Sequence, residues 1–306
     1  MIVLKKVSLK FLFGFIGLEL AYVIFLGGVV WWLQHLIKVE NATLLLPSVT
    51  VFGTVLSLFL AFRTNEAYNR WWEARTLWGQ LVNQSRNFAR QVLLIVTPQI
   101  FKSLSESKVL EIQKELIYGH LAFINALRIH LRKQKDWQDV SKFLSQDDWE
   151  KVKELSNIPH QILHIQGEKL RKIFESEPNR DFRYLQLDNT LNQFTNIMGG
   201  CERIKNTVFP RLYSYFTSAF TWIFVSLLVL SLIDEYEWQT LTVRMLVAVV
   251  FLTLNKLGKS LKNPFENQPG DTPMSTLCRS IEIDLKEQLK EKEIPSPMKE
   301  INGILY

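Results

Sequence analysis

The chain has 306 residues, of which 47% are apolar and 22% charged, with 36 Lys and Arg against 30 Asp and Glu for a net charge of +6. Apolar blocks separated by charged stretches point to one membrane protein with a sizeable aqueous part, and the excess positive charge is explained by membrane topology. The basic residues are spread among acidic ones with no uninterrupted Lys/Arg run, which argues against a nucleic-acid site.

Lys5, Lys6 and Lys10 precede an apolar run from Phe11 to Leu33. That run is too long for a signal-peptide core and reads as a retained membrane helix, with Trp31 and Trp32 suited to a headgroup belt. Glu19 inside it is either a functional intramembrane carboxylate or a residue near the inner interface. A polar connection from Gln34 to Thr43, with Lys38 as its one basic residue, leads to Pro47, which fits a helix start.

Leu44 to Phe62 carries no charged side chain and, at about 1.5 Å per helical residue, is long enough to cross the hydrocarbon of a bilayer. No Gly or Pro follows until Gly79, and Arg63, Glu66, Arg70 and Glu73 alternate in sign at helical spacing, so one helix is predicted to leave the membrane and enter water with ion-paired charges. Gly53, Ser57 and Ala61 form a small-residue stripe that lets a neighbouring helix approach. The adjacent stripe holds Thr54, Leu58 and Phe62. Several copies around an axis would make it a narrow apolar collar, a design that controls permeation by wetting and dewetting; alternatively it is a plain membrane helix facing lipid and protein.

Between Arg63 and Arg211 the pattern is helical. Asn83 to Val96 is amphipathic and Pro98 interrupts it; Glu111 to Arg132 resumes with Leu116, Leu121, Ile124, Leu127 and Leu131. Ser145 and Asp148 have capping spacing, and Ile162, Leu163, Leu170 and Phe174 recur after Pro159. Glu177 to Arg180 marks a loop, and Tyr184 to Met198 reads as a helix with Leu185, Leu187, Leu191 and Phe194 apolar. Tyr213 to Ile233 is a third crossing, ending in Asp234 to Trp238. Met245 to Leu254 is short and flanked by Arg244 and Lys256; with Leu241 and Val243 recruited it makes a fourth, which puts both termini in the cytoplasm. Cys201 and Cys278 then lie in the cytoplasm as reduced thiols.

The search for catalytic chemistry is negative. His160, His164 and Glu168 share a helix face and would need a third or fourth metal ligand from elsewhere, so a solvated face is the reading adopted; Asp147 and Asp148 mark a helix start. No nucleotide loop, nucleophile elbow or CxxC pair occurs, and neither an enzyme nor a cofactor is expected.

Three stretches together carry a family resemblance: AFRTNEAYNRWWEARTLWGQL from Ala61 to Leu81, GGCERIKNTVFPRLY from Gly199 to Tyr213, and NPFENQPGDTPMSTLCRSIEIDL from Asn263 to Leu285. In their order and wording the chain resembles the bestrophin family, especially its prokaryotic branch. The resemblance implies an all-α membrane protein with four transmembrane helices per subunit and a large cytoplasmic helical region, forming a homopentamer around a central pore. It divides the chain into residues 1–62 with the first two membrane helices, 63–212 as the cytoplasmic region, 213–258 with the other two, and 259–306 as a cytoplasmic C-terminal segment. Thr54, Leu58 and Phe62 then match the apolar neck, with Thr54 standing where a bulkier apolar residue is usual, and Leu185 matches the lower cytoplasmic aperture. Animal members carry a dense acidic cluster that helps bind calcium; Glu266, Asn267, Gln268 and Asp271 stand here instead, which puts calcium activation in doubt.

The function implied is passive conduction of small monovalent ions, chloride and other anions first, in the inner membrane of a prokaryote. The partners are further copies of the chain, the bilayer and the permeant ions. A sodium or potassium channel of the same fold, a membrane-anchored helical scaffold and a membrane enzyme using the histidine face are the alternatives.

Overall fold

A computed structural model describes residues 9–37, 46–102, 104–175, 180–207, 210–230 and 237–306. Lys5 and Lys6, the connection carrying Lys38, the start of the second crossing at Leu44, the loop at Glu177 to Asn179 and the stretch Asp234 to Tyr236 lie outside the described residues. The described residues are nearly all helical: α1 (Leu9–Ile37), α2 (Leu46–Ile95), α3 (Glu106–Arg132), α4 (Gln138–Ser141), α5 (Gln146–Val152), α6 (Ile158–Phe174), α7 (Arg180–Asn206), α8 (Arg211–Leu230), α9 (Glu237–Ser260) and α10 (Met274–Gln288). No strand occurs among them, only an isolated bridge between Ile301 and Ile304.

Two compact units divide the chain, one drawn from Leu4–Trp71 and Val208–Asn263, the other chiefly from Trp72–Thr207 and Pro264–Tyr306. α2 contributes to both. The first unit holds the four helices that are long and apolar enough to cross a membrane, at Lys10–Leu33, in Pro47–Ile95, and at Arg211–Leu230 and Gln239–Ser260. Its core joins Val23 and Val30 to Leu56, Leu60, Phe224, Val225, Ala248 and Leu252. Lipid is as apolar as these side chains, so close packing and internal hydrogen bonds, not exclusion of water, hold such a bundle together. Phe52 meets the Phe220 and Phe224 rings edge-on, and the Tyr22 and Ser226 hydroxyls pair at 2.8 Å. Thr217, Thr221 and Thr253 return their hydroxyls to carbonyls one turn back, leaving no donor for the hydrocarbon. Glu19 is buried and bonds Lys256 at 2.9 Å, so the carboxylate in α1 holds the end of α9.

The second unit is built around α3. From Gly119 to Ile129 it is buried on every side, as a helix enclosed by α4, α6, α7 and α10 must be. Ser105 caps its start by accepting from the Lys108 amide, and Lys133 ends it in the left-handed region at φ 54°. The capping spacing at Ser145 is realised, its hydroxyl accepting from the Asp148 amide at the start of α5. Gly199 and Gly200 lie inside α7 and do not end it. A side chain at Gly200 would come within 3.0 Å of Leu77, so the missing Cβ admits α2.

Candidate functional site

The long α2 carries the apolar stripe and the small-residue stripe read from the sequence. Each helical residue turns by about 100°. In the membrane unit Val49, Gly53, Leu56, Leu60, Arg63 and Ala67 are buried, spaced alternately by three and four residues so that they stay on one line. Thr54, Leu58 and Phe62 average about 180° from that line. They are exposed, Leu58 at 56% and Phe62 at 59%, and the sequence-derived stripe therefore faces directly away from its own bundle. The Thr54 hydroxyl donates to the Thr50 carbonyl at 3.0 Å, which commits its proton to the helix.

The neighbouring small-residue stripe behaves differently along its length. Gly53 packs under Phe224, whereas Ser57 and Ala61 are exposed. A strict four-residue step drifts about 40° each time, so the stripe leaves the buried line after its first member. Arg63 also departs from the ion-paired polar face expected of it. It is 2% exposed, donates to the Asn255 carbonyl and to the Ser218 hydroxyl, and Ser218 in turn bonds the Asn255 side chain. The buried line passes through position 63, where uncharged oxygens of α8 and α9 accept from the two terminal guanidinium nitrogens and Nε is left buried without a partner. Glu73 bonds Arg203 of α7.

In the second unit the same helix is fixed by the continuation of that buried line. Ala74, Trp78, Leu81, Ser85, Phe88 and Val92 are buried. Ser85 donates to the Leu81 carbonyl at 2.6 Å and bonds His120 Nε2 at 2.8 Å. The serine proton is thereby used, so the imidazole donates from Nε2, and its Nδ1 is left buried without a partner. Burial among Phe88, Phe123 and Phe194 pushes His120 down to about 3, keeping it neutral. Arg86 pairs with Asp284 at 2.7 Å, and Gln91 accepts from Thr190 at 2.7 Å. Opposite this anchored face the exposed line reads Thr76, Gln80, Asn83 and Asn87, ending in Arg90. With Asn65, Asn69 and the exposed Trp72 before them, these residues present amides, a hydroxyl, an indole and a guanidinium and not one carboxylate. Sequence periodicity did not single them out, because which face is outward depends on the helices that cover the other.

On α7, Leu187, Leu191 and Phe194 are buried and Leu185 is not. At 50% exposure Leu185 points about 180° from Phe194, in line with exposed Asn189, Asn192 and Asn196. Cys201 and Cys278 are buried free thiols, each pushed up to about 12 by burial. His160 and His164 lie on α6, with His164 Nε2 3.6 Å from Glu168, and among the described residues no three His, Cys, Asp or Glu side chains are grouped to hold a metal ion. In the loop at 264–272 the acidic side chains are engaged within the fold. Asp271 Oδ2 accepts from the Glu266 and Gln268 amides at 2.8 and 3.0 Å, and the Glu266 carboxylate is turned to Lys205 at 2.8 Å, so its oxygens brace the loop.

Comparison with known proteins agrees with this architecture. The chain is 30% identical to the voltage-dependent anion channel-forming protein YneE of Salmonella typhi, over 96% of this chain and 90% of that protein, and equally to YneE of Escherichia coli K12. The voltage-dependent anion channel-forming protein alr2987 of Nostoc is 28% identical over 86% of this chain and 83% of its own length. The crystal structure of a bacterial bestrophin homolog from Klebsiella pneumoniae superposes with a TM-score of 0.79 at 23% identity, covering 91% of this chain and 100% of that one. Residues 12–287 match the family described as bacterial/fungal bestrophin protein, and with four apolar helices, a helical remainder and that match spanning nearly its whole length, the chain belongs to the bestrophin family.

Proposed function

We propose that this protein is a passive channel for chloride and other small monovalent anions, formed by five copies around an axis lined by α2. The observation that carries the reading is the direction of Thr54, Leu58 and Phe62. An exposed apolar line on a membrane helix faces either lipid or an axis. An axis is favoured because the same line continues as Asn65, Asn69, Trp72, Thr76, Gln80, Asn83 and Asn87, six uncharged polar residues and one tryptophan with no carboxylate among them, on a helix much longer than a bilayer is thick. Leu58 and Phe62 then form the neck, with Thr54 at its outer end and Leu185 at a second, cytoplasmic constriction.

Anions suit this lining. A large, weakly hydrated anion loses water at an apolar collar more cheaply than a small cation, and the amide line offers N–H donors with no carboxylate to repel it. The relatives named as anion channel-forming proteins support the same sign. Residues 63–212 and 259–306 form the cytoplasmic part, both termini lie on that side, and the site is the inner membrane of a prokaryote. The activity is conduction, with no chemical step assigned to any side chain.

Reconstitution of the purified protein into liposomes, with separate chloride and potassium gradients, tests this. Chloride flux that changes in Leu58→Ala and Phe62→Ala is the expected result. A correctly assembled oligomer that carries no ion would replace the channel with the scaffold reading, and a reversal potential following potassium would replace the anion with the cation.

A further inference from the structure

In the second unit α3 ends where α10 begins. Arg132, the last residue of α3, donates from Nη1 to the Ser275 hydroxyl in the first turn of α10 at 2.7 Å, and at the next contact the Cys278 thiol lies 3.5 Å from the Ile124 carbonyl. The negative end of one helix and the positive start of the other, each worth about half a charge, therefore meet and offset one another. The Arg132 guanidinium lies in that junction and makes no ion pair among the described residues. Asp139 is spent on Arg128 and Lys142, at 2.8 Å each, and Asp271 on the amides of Glu266 and Gln268.

Four buried donors gather here without an acceptor: Arg132 Nε and Nη2, Arg128 Nε and the Thr272 hydroxyl. Arg128 is 9% exposed and Thr272 1%. Thr272 stands immediately before Pro273, where α10 starts with no side-chain cap. Nε and Nη2 are the parallel donors along one edge of a guanidinium, and such an edge matches two oxygens of one oxyanion. Burial, and then the charge of Arg128, pushes Arg132 down to about 10, so it stays a cation at neutral pH. The first turn of α10 already draws one oxygen, because the Thr276 amide and hydroxyl both donate to the main-chain oxygen of Tyr306, at 2.7 and 2.9 Å. Arg132 and Ser275 are each partly exposed, so the junction is open to solvent along the guanidinium.

We infer that the junction of α3 and α10 binds one small oxyanion per subunit, held by the Nε and Nη2 edge of Arg132 and by the Thr272 hydroxyl. The chemistry recognised is a pair of oxygens in one plane, which a carboxylate and a phosphate group both offer. Arg128 adds a second positive charge on the same face of α3, one turn back. The site uses no residue of the α2 line and stands independently of the pore.

The test is equilibrium dialysis of the purified full-length protein in detergent against radiolabelled formate and, separately, inorganic phosphate, with chloride in excess so that a simple halide site stays silent. Saturable uptake of one anion per subunit is expected for at least one of the two. Arg132→Lys keeps the charge but removes the paired edge, and is expected to weaken uptake about tenfold, the loss of one charge-assisted bond. Thr272→Val removes the hydroxyl at nearly constant shape and is expected to weaken it severalfold. A hydroxyl that serves no ligand would instead leave uptake alone in that variant and only raise the melting temperature. A tryptophan-fluorescence melt of each variant separates lost binding from lost fold, and Thr272→Val carries the test if Arg132→Lys does not fold. Formate without phosphate assigns the ligand to a carboxylate, and phosphate without formate to a phosphate group. No saturable uptake of either anion by the wild type, or uptake that a folded variant of the two leaves unchanged, shows an adventitious ion only and overturns the inference.

Discussion

Phe224 lies so close over Gly53 that a methyl group on Gly53 would sit 2.7 Å from Cε2 of the ring. The ring is itself buried and held by Phe52 and Phe251, with the Phe251 centroid 4.7 Å away, so it has little room to withdraw. α2 and α8 therefore meet at a distance that only glycine allows.

Gly53→Ala is expected to destabilise the membrane bundle by about 1 to 3 kcal/mol, the usual penalty for overpacking, although alanine favours a helix. Combining it with Phe224→Leu should recover part of the loss. Thermal unfolding in detergent, followed by tryptophan fluorescence, measures both. An unchanged midpoint in the single variant would show that the approach is not close enough to matter.

His120 sets a pH dependence with a definite sign. Its folded value of about 3 lies below the unfolded value near 6.5, so the unfolded chain binds the extra proton between these limits and stability falls as pH drops below about 6.5. One such proton corresponds to a slope of about 1.4 kcal/mol per pH unit at most. At Asp148 burial raises the carboxyl, but hydrogen bonds from Lys169 and Ser145 more than offset this, so its contribution is lost only in stronger acid. His120→Phe, which suits a site formed by Phe88, Phe123 and Phe194, should flatten the unfolding midpoint between pH 6 and 4.5. A slope identical to the wild type would assign the effect to other groups.

Lys133 ends α3 with φ at 54°, and the Gln134 amide bonds back to the Ile129 carbonyl at 3.0 Å. A left-handed residue at this position is favoured as glycine, so Lys133→Gly is expected to stabilise the unit by about 1 kcal/mol. A fall in the denaturation midpoint would mean that the lysine side chain contributes more than its backbone strain costs.

The four membrane helices were legible because charge-free runs of crossing length have few other uses, and the start of α5 because Ser145 and Asp148 carry their cap in the sequence. α10 was not legible. Its start at Pro273 has no capping side chain, and Glu282 interrupts the buried line of Cys278, Ile281 and Leu285. Arg63 misled for a related reason, since a charge at helical spacing from Glu66 looks solvated until Ser218 and Asn255 are brought beside it from later in the chain. The apolar stripe could be read from spacing. Its polar continuation through Asn65, Asn83 and Asn87 needed the knowledge of which face Trp78, Ser85 and Phe88 bury.

The most direct measurement is current through reconstituted protein during modification of a cysteine placed on the α2 line. Cys201 and Cys278 are buried, with their thiols pushed up to about 12, so they give a silent background to a charged methanethiosulfonate reagent. Phe62→Cys is the test position, and Leu18→Cys, exposed on α1, is the control. Reagent applied to Phe62→Cys is expected to change chloride current severalfold while Leu18→Cys is unaffected. Equal responses at the two positions, or modification of Phe62→Cys with no change in current, would contradict a pore lined by Thr54, Leu58 and Phe62.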